Sequence, residues 1–176
     1  MKLSVVILAA GEGTRLNSRK PKVLHDIGGR PMIEYVLETA RLLKPDAIHI
    51  VIGAGAEAVR TAVNDNTSHW HEQNERCGTA HAVSCAKSAL DSGNHVLVLY
   101  GDVPLIKSAT LKNLLATLDK VDYAVLTETL INPTGYGRIV RDDAGQVTRV
   151  VEQRDATPDE AAITEVNTGI IAVREG

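Results

Sequence analysis

Phenylalanine is missing altogether from these 176 residues, and one Trp with four Tyr brings the aromatic content to only 3%. A folded core must then come from Leu, Val, Ile and Ala. Cysteine is nearly as scarce, and Cys77 and Cys85 form no CxxC pair. That excludes a disulfide framework and points to reduced thiols in a cytoplasm. No apolar run is long enough to span a bilayer, and the short one at the N-terminus leads into glycines rather than a cleavage site. Neither a membrane segment nor a signal peptide is expected. Positive charge is not in excess either: a formal net charge of −3 argues against a general nucleic-acid binder. With 44% hydrophobic and 23% charged residues the chain reads as globular, and its length suits one domain over residues 1–176.

Two well-known phosphate loops are absent. A Walker A loop counted from Gly11 would need Gly-Lys-Ser/Thr where Leu16, Asn17 and Ser18 stand. The dinucleotide fingerprint needs a third glycine at Leu16. What stands there instead is a short apolar run, Leu3 to Leu8, followed at once by Ala9, Ala10, Gly11 and Gly13, then Arg15 and Lys22. The run reads as a buried strand. Glycines allow close backbone approach, and successive free N–H groups form a concave anion site. Arg15 and Lys22 supply the charge that amides lack, so the segment reads as a phosphate cradle at the end of the first strand. The plain alternative is a glycine turn between a strand and a basic, solvated loop.

Further along, Ile33, Val36, Leu37, Ala40 and Leu43 repeat at helical spacing up to Lys44, and Pro45-Asp46 breaks the helix. Ala47 to Ile52 reads as a second strand and Glu57 to Val63 as a short helix. A helix is expected from Thr79 to Leu90, a turn at 91–94, a strand at Val96 to Tyr100, and a helix at Ser108 to Leu118 with Ser108 as N-cap. Tyr123 to Leu130 and Val166 to Val173 read as strands, and Ile139-Val140 with Val147 to Val151 as a hairpin. The order predicts an α/β fold: a doubly wound, mostly parallel, Rossmann-like sheet with a late β-hairpin appendage. Ligands in such sheets bind beyond the carboxyl ends of the strands. Asp102, ending the strand in YGDVP, is there a candidate Mg²⁺ ligand or a turn-capping Asp. Gly78 and Thr79 could bring backbone near a base, and Gln73 offers both a donor and an acceptor; a polar loop with an N-cap Thr is the plain alternative. His69 and His71 share a face if extended, a pattern that fits packing or solvent better than zinc.

The segments LAAGEGTRL, PKVLHDIGGRPMI, CGTAHAV, LYGDVPLI, PTGYGRIV, VVEQRDA and EVNTGI, in that order, resemble the signatures of sugar-phosphate nucleotidyltransferases. Together they are similar to the N-terminal pyrophosphorylase domain of the bacterial bifunctional uridylyltransferase–acetyltransferases. The resemblance runs from Leu3 to the end of the chain. It implies UTP and N-acetylglucosamine 1-phosphate as substrates and Mg²⁺ as cofactor, held by Asp102. It implies phosphate contacts from Arg15 and Lys22 as the catalytic pair. Nucleotide contacts would come from Leu8, Ala9, Ala10, Gly11, Gly13, Gln73, Gly78, Thr79, Tyr100 and Gly101. Gly137, Glu152 and Asn167 match the sugar-binding positions. One departure is Arg76, which stands where the family usually has a second Gln and which has donors only. It keeps open another base or another sugar phosphate; a nucleotide-binding module without turnover is the reading from a different class. The resemblance further implies a domain that continues past Gly176, with a later Asn as second metal ligand and a β-helix acetyltransferase beyond it. Apolar surface left for that segment would favour association of copies.

Overall fold

A computed structural model describes residues 2–11, 13, 16, 18, 20–75, 78–90 and 93–174. The chain forms two compact units, Met1–Ala124 with Ile171–Gly176, and Val125–Ile170.

The first unit is built on β1 (Leu3–Ala9), every residue of which is buried. β1 pairs in parallel with β4 (Ala47–Ile52) on one side and β6 (His95–Tyr100) on the other. β5 (His69–Glu72) extends the sheet in parallel beyond β4. The strand order is therefore β5-β4-β1-β6, with Ile171–Val173 at the end of β10 (Glu165–Val173) antiparallel to β6. Strands buried on both faces need continuous Val, Ile and Leu, which is why β1, β4 and β6 were legible as apolar runs.

Between β1 and β4 lies a two-stranded ribbon, β2 (Asp26–Ile27) and β3 (Arg30–Pro31), turning on Gly28 and Gly29 at φ 58° and 83°. Two consecutive positive φ values are what a tight two-residue hairpin turn requires. Then α1 (Met32–Arg41) buries Ile33, Val36, Leu37 and Ala40, the expected stripe. After β4 comes α2 (Ala56–Val63); after β5 comes α3 (Thr79–Ala86), which a short 3₁₀ turn extends over Lys87–Ala89. Ala82 and Ala86 of α3 pack with Val6, Leu8, Val51 and Val98 on one face of the sheet. The chain winds outward from β1 through β4 to β5, then returns through α3 to β6 on the opposite side of β1. Strand order reverses at β1, so a crevice is expected beyond the carboxyl ends of β1 and β6. After β6 comes α4 (Ser108–Ala116), whose N-cap is Lys107, with no side-chain cap. Ser108 is thus the first helical residue rather than the N-cap expected: Lys107 already has the extended backbone of a cap, φ −90° and ψ 139°.

In the second unit β8 (Arg138–Arg141) and β9 (Val147–Val151) form the expected antiparallel hairpin. Asp142 closes its turn by accepting from the Ala144 and Gln146 amides at 3.0 and 2.8 Å. Val166 of β10 pairs with Arg138 of β8, and β7 (Tyr123–Thr129) pairs with β10. A single turn, α5 (Pro158–Ala161), starts with a complete capping box between Thr157 and Glu160. Among the described residues no helix is long and apolar enough to cross a membrane.

Candidate active site

A cleft of about 640 Å³ opens where the strand order reverses, in the first unit. Its floor is the end of β1: Leu8 and Ala10 line it, followed by Gly11 and Gly13. Gly13 adopts φ 62°, and its carbonyl accepts from the Leu16 amide at 2.8 Å. Lys22 lines the cleft beside Gly13, from a 3₁₀ turn, Lys22–Leu24, that is pinned by burial of Val23 and Leu24. The preceding Pro21 packs on Gly55 so closely that a Cβ there would lie 2.7 Å from Pro21 Cγ. The lysine is thus placed by apolar contacts on its own turn and by the absence of side chains at Gly13 and Gly55.

Tyr100 and Asp102 reach the cleft from the end of β6. Between them Gly101 donates its N–H to the Leu8 carbonyl at 2.9 Å and packs under Val23. Ala9 is 4% exposed, and neither Ala9 nor Gly101 lines the cleft. They join the β1 end to the β6 end and set the spacing of the residues that do. Asp102 forms an ion pair with Lys22. The two side chains expected to serve phosphate and metal thus meet in the cleft.

Among the described residues Asp102 is the acidic one lining the cleft, its side chain 20% exposed. Among the described residues no three His, Cys, Asp or Glu are grouped so as to hold a metal. A cation at Asp102 would take most of its ligands from phosphate and water. That donor set fits Mg²⁺, which keeps waters and binds through one or two carboxylates plus phosphates.

The third wall comes from the β5–α3 junction. Gln73 follows β5 and donates its backbone N–H to the Ile52 carbonyl at 2.8 Å, prolonging the parallel ladder. Gly78, at φ 88°, is the N-cap of α3, and Thr79 is its first helical residue rather than the cap. Both line the cleft, as do Gln73 and Ala82. Tyr100 Oη donates to Thr79 Oγ1 at 3.5 Å, tying β6 to the start of α3.

The structure thus gathers Leu8, Ala10, Gly11, Gly13, Lys22, Gln73, Gly78, Thr79, Tyr100 and Asp102 around one cleft. Arg15, Arg76 and Cys77 lie outside the described residues. Leu16, Val23 and Ala82 also line it, and sequence reasoning did not single them out. The remaining candidates form a separate constellation in the second unit. Asn167 donates its backbone N–H to the Gly137 carbonyl at 2.8 Å, and a Cβ on Gly137 would stand 3.4 Å from Glu152 Oε1. Asn167 Oδ1 is taken by the Gly169 amide at 2.9 Å, which leaves Nδ2 as its donor. Arg138, 1% exposed, braces this corner by donating to the Tyr136 carbonyl and to Gln153 Oε1 at 2.7 Å.

His69 and His71 do share a face, but what they meet is a third histidine. His49 of β4 stacks on both rings, with centroids 5.1 and 5.2 Å apart, and its Nδ1 lies 3.0 Å from His71 Nε2. Burial, and then the nearby His69, hold His71 below its ordinary pKa within this packed stack.

Comparison with known proteins agrees with this geometry. Residues 5–165 match the MobA-like NTP transferase domain family. The chain is 54% identical over 169 residues to the bifunctional protein GlmU of Burkholderia mallei, and 53% identical to that of Burkholderia multivorans. Both alignments take in 96% of this chain and 37% of the relative, so the chain spans little more than a third of their length. Among solved structures, a UDP-glucose pyrophosphorylase complexed with UDP-glucose superposes with a TM-score of 0.76 at 18% identity, covering 99% of this chain and 76% of that one. HddC from Yersinia pseudotuberculosis, complexed with GMP-PN, gives 0.73 at 22% identity, covering 98% and 76%. At those identities the likeness is one of fold.

Proposed function

Because the chain belongs to the MobA-like NTP transferase family, we propose that it transfers a uridylyl group from UTP to N-acetylglucosamine 1-phosphate, yielding UDP-N-acetylglucosamine, a cell-envelope precursor, and pyrophosphate. The observation that carries this reading is the joint placement of the Gly11–Gly13 loop, Lys22, Asp102 and Gln73 around one cleft. A phosphate oxygen of the sugar phosphate attacks the α-phosphorus of UTP in line, and the bond to the β-phosphate oxygen breaks. Such transfers need positioning and charge neutralisation rather than a covalent intermediate. Lys22 would neutralise charge on the triphosphate, and the loop glycines let backbone amides approach it. Mg²⁺ is the proposed cofactor; when bound at Asp102 it would neutralise charge on the phosphates. Gln73, Gly78 and Thr79 hold the base side. Glu152 as acceptor and Asn167 Nδ2 as donor suit sugar hydroxyls and an N-acetyl group.

The test is pyrophosphate release across a panel of nucleotides and sugar 1-phosphates. The expected outcome is a preference for UTP with N-acetylglucosamine 1-phosphate. Release with no pair, while UTP still binds, would leave a nucleotide-binding module and overturn the enzyme reading. A preference for dTTP or for another sugar phosphate would overturn the substrate assignment alone.

A further inference from the structure

Gln73 has two polar ends, and which end faces the cleft decides what it can recognise. Its Nε2 lies 3.2 Å from the Gly78 carbonyl oxygen and 3.1 Å from His81 Nδ1. A carbonyl can only accept, and Gly78 O also accepts the first α3 hydrogen bond, from the Ala82 amide at 3.1 Å. The amide NH₂ is therefore the group turned toward Gly78. Its second hydrogen points at His81 Nδ1, which must be unprotonated, so the ring proton sits on Nε2. Both Gln73 donors are consumed. Oε1 has no protein partner among the described residues, on a side chain that lines the cleft. His81 itself does not line it.

We propose that His81 is a positioning residue: with the Gly78 carbonyl it fixes the Gln73 carboxamide so that Gln73 presents only its acceptor to the cleft, selecting pyrimidines with a ring N–H over cytosine. Uracil and thymine carry N3–H where cytosine carries a lone pair, which an acceptor repels. The inference rests on the uridylyl reading of this cleft and adds to it the group that sets the direction of the amide. A Gln free to rotate would offer either end and would discriminate poorly.

Titration calorimetry with UTP and with CTP, both with Mg²⁺, tests this on the wild-type chain and three variants. His81→Ala should lower the UTP-to-CTP affinity ratio roughly fivefold, the worth of one neutral hydrogen bond. His81→Lys, which can only donate, should lower it further. His81→Gln, whose carbonyl can replace Nδ1, should restore it. Equal ratios in wild type, His81→Ala and His81→Lys would overturn the proposal. An equal loss in all three variants would too, by making His81 a packing residue. ¹⁵N spectra of the ligand-free protein read the same point without any variant: an unprotonated His81 Nδ1 is expected, and a protonated one refutes the geometry. Failure of wild type to bind either nucleotide would instead strike at the uridylyl reading, and this inference would fall with it.

Discussion

Replacing Gly13 by Ala should damage both the fold and the cleft, while the same change at Gly11 should leave the fold intact. Gly13 has φ 62°, a conformation that costs an L-residue about 1–2 kcal/mol. A Cβ there would also fall 2.8 Å from Lys22 Cβ and 3.1 Å from Lys22 Cγ. Those atoms are at the backbone end of the lysine, so swinging the ammonium away does not relieve the clash. The backbone of Lys22 would have to move, against a turn held by Val23 and Leu24, 3% and 5% exposed. Together the two effects come to about 2–5 kcal/mol, or a fall in Tm of about 4–20 °C for a chain of this size. Gly11 lacks a left-handed φ and has nothing within 4 Å of a built Cβ, so Gly11→Ala should stay within about 0.5 kcal/mol. Urea unfolding of both variants measures the stabilities, and a UTP titration shows whether Lys22 has moved. If Gly13→Ala unfolds at the wild-type midpoint and binds UTP normally, the account of how the loop places Lys22 is wrong.

Three further outcomes are expected. Burial opposes ionisation of Asp65, but hydrogen bonds from Ser68 and Thr67 and the Arg41 guanidinium outweigh it and bring its pKa from 3.8 to about 2. The folded value is the lower one, so stability present above pH 4 should fall by roughly 2 kcal/mol as the pH approaches 2; acid unfolding of Asp65→Asn should lack that part of the profile. His71 is also held below its ordinary value of 6.5, by burial and then by His69, so stability should be lost as the pH falls through 6.5, and His71→Gln should remove that dependence in denaturant titrations. Asp102→Asn should cost about 10- to 100-fold in the Mg²⁺ enhancement of UTP binding, with Tm nearly unchanged because the part-exposed Lys22–Asp102 pair adds little stability; an unchanged Mg²⁺ dependence by calorimetry would remove Asp102 from the metal role.

The central strands were readable because burial on both faces demands unbroken apolar runs, and β1 and β6 have them. The meeting of Gly11, Gly13, Lys22 and Asp102 at one cleft was readable because the chain order placed the glycine segment and the aspartate at the carboxyl ends of neighbouring strands. β5 was not: in His69-Trp70-His71-Glu72 three of four residues are polar, and its apolar register is replaced by histidines stacking on His49. α5 was missed although Thr157-Pro158-Asp159-Glu160 spells a capping box with Pro in the first turn, since four residues give no periodicity to detect. Ser108 looked like a cap because it precedes an apolar stripe, yet only the backbone angles of Lys107 show where the helix begins. His81 could not have been chosen at all, because its meaning depends on the end of β5 meeting the first turn of α3.

These differences in legibility follow a physical division within the cleft. Asp102 follows β6 and Lys22 opens a turn anchored by the buried Val23 and Leu24, both beside the fully buried β1, so their placement resists local opening. Gln73 hangs from β5, a four-residue strand paired to β4 alone and carrying two of the three stacked histidines. Opening of β5 would release the Gln73–Ile52 backbone bond and break the hold of Gly78 and His81 on the amide, while leaving the β1–β6 pairing untouched. The residues proposed for the phosphates are therefore fixed by the core, and the residue proposed for the base by a short edge and a helix start. Selectivity for the base should vary more readily than phosphate chemistry, both under acid and under substitution.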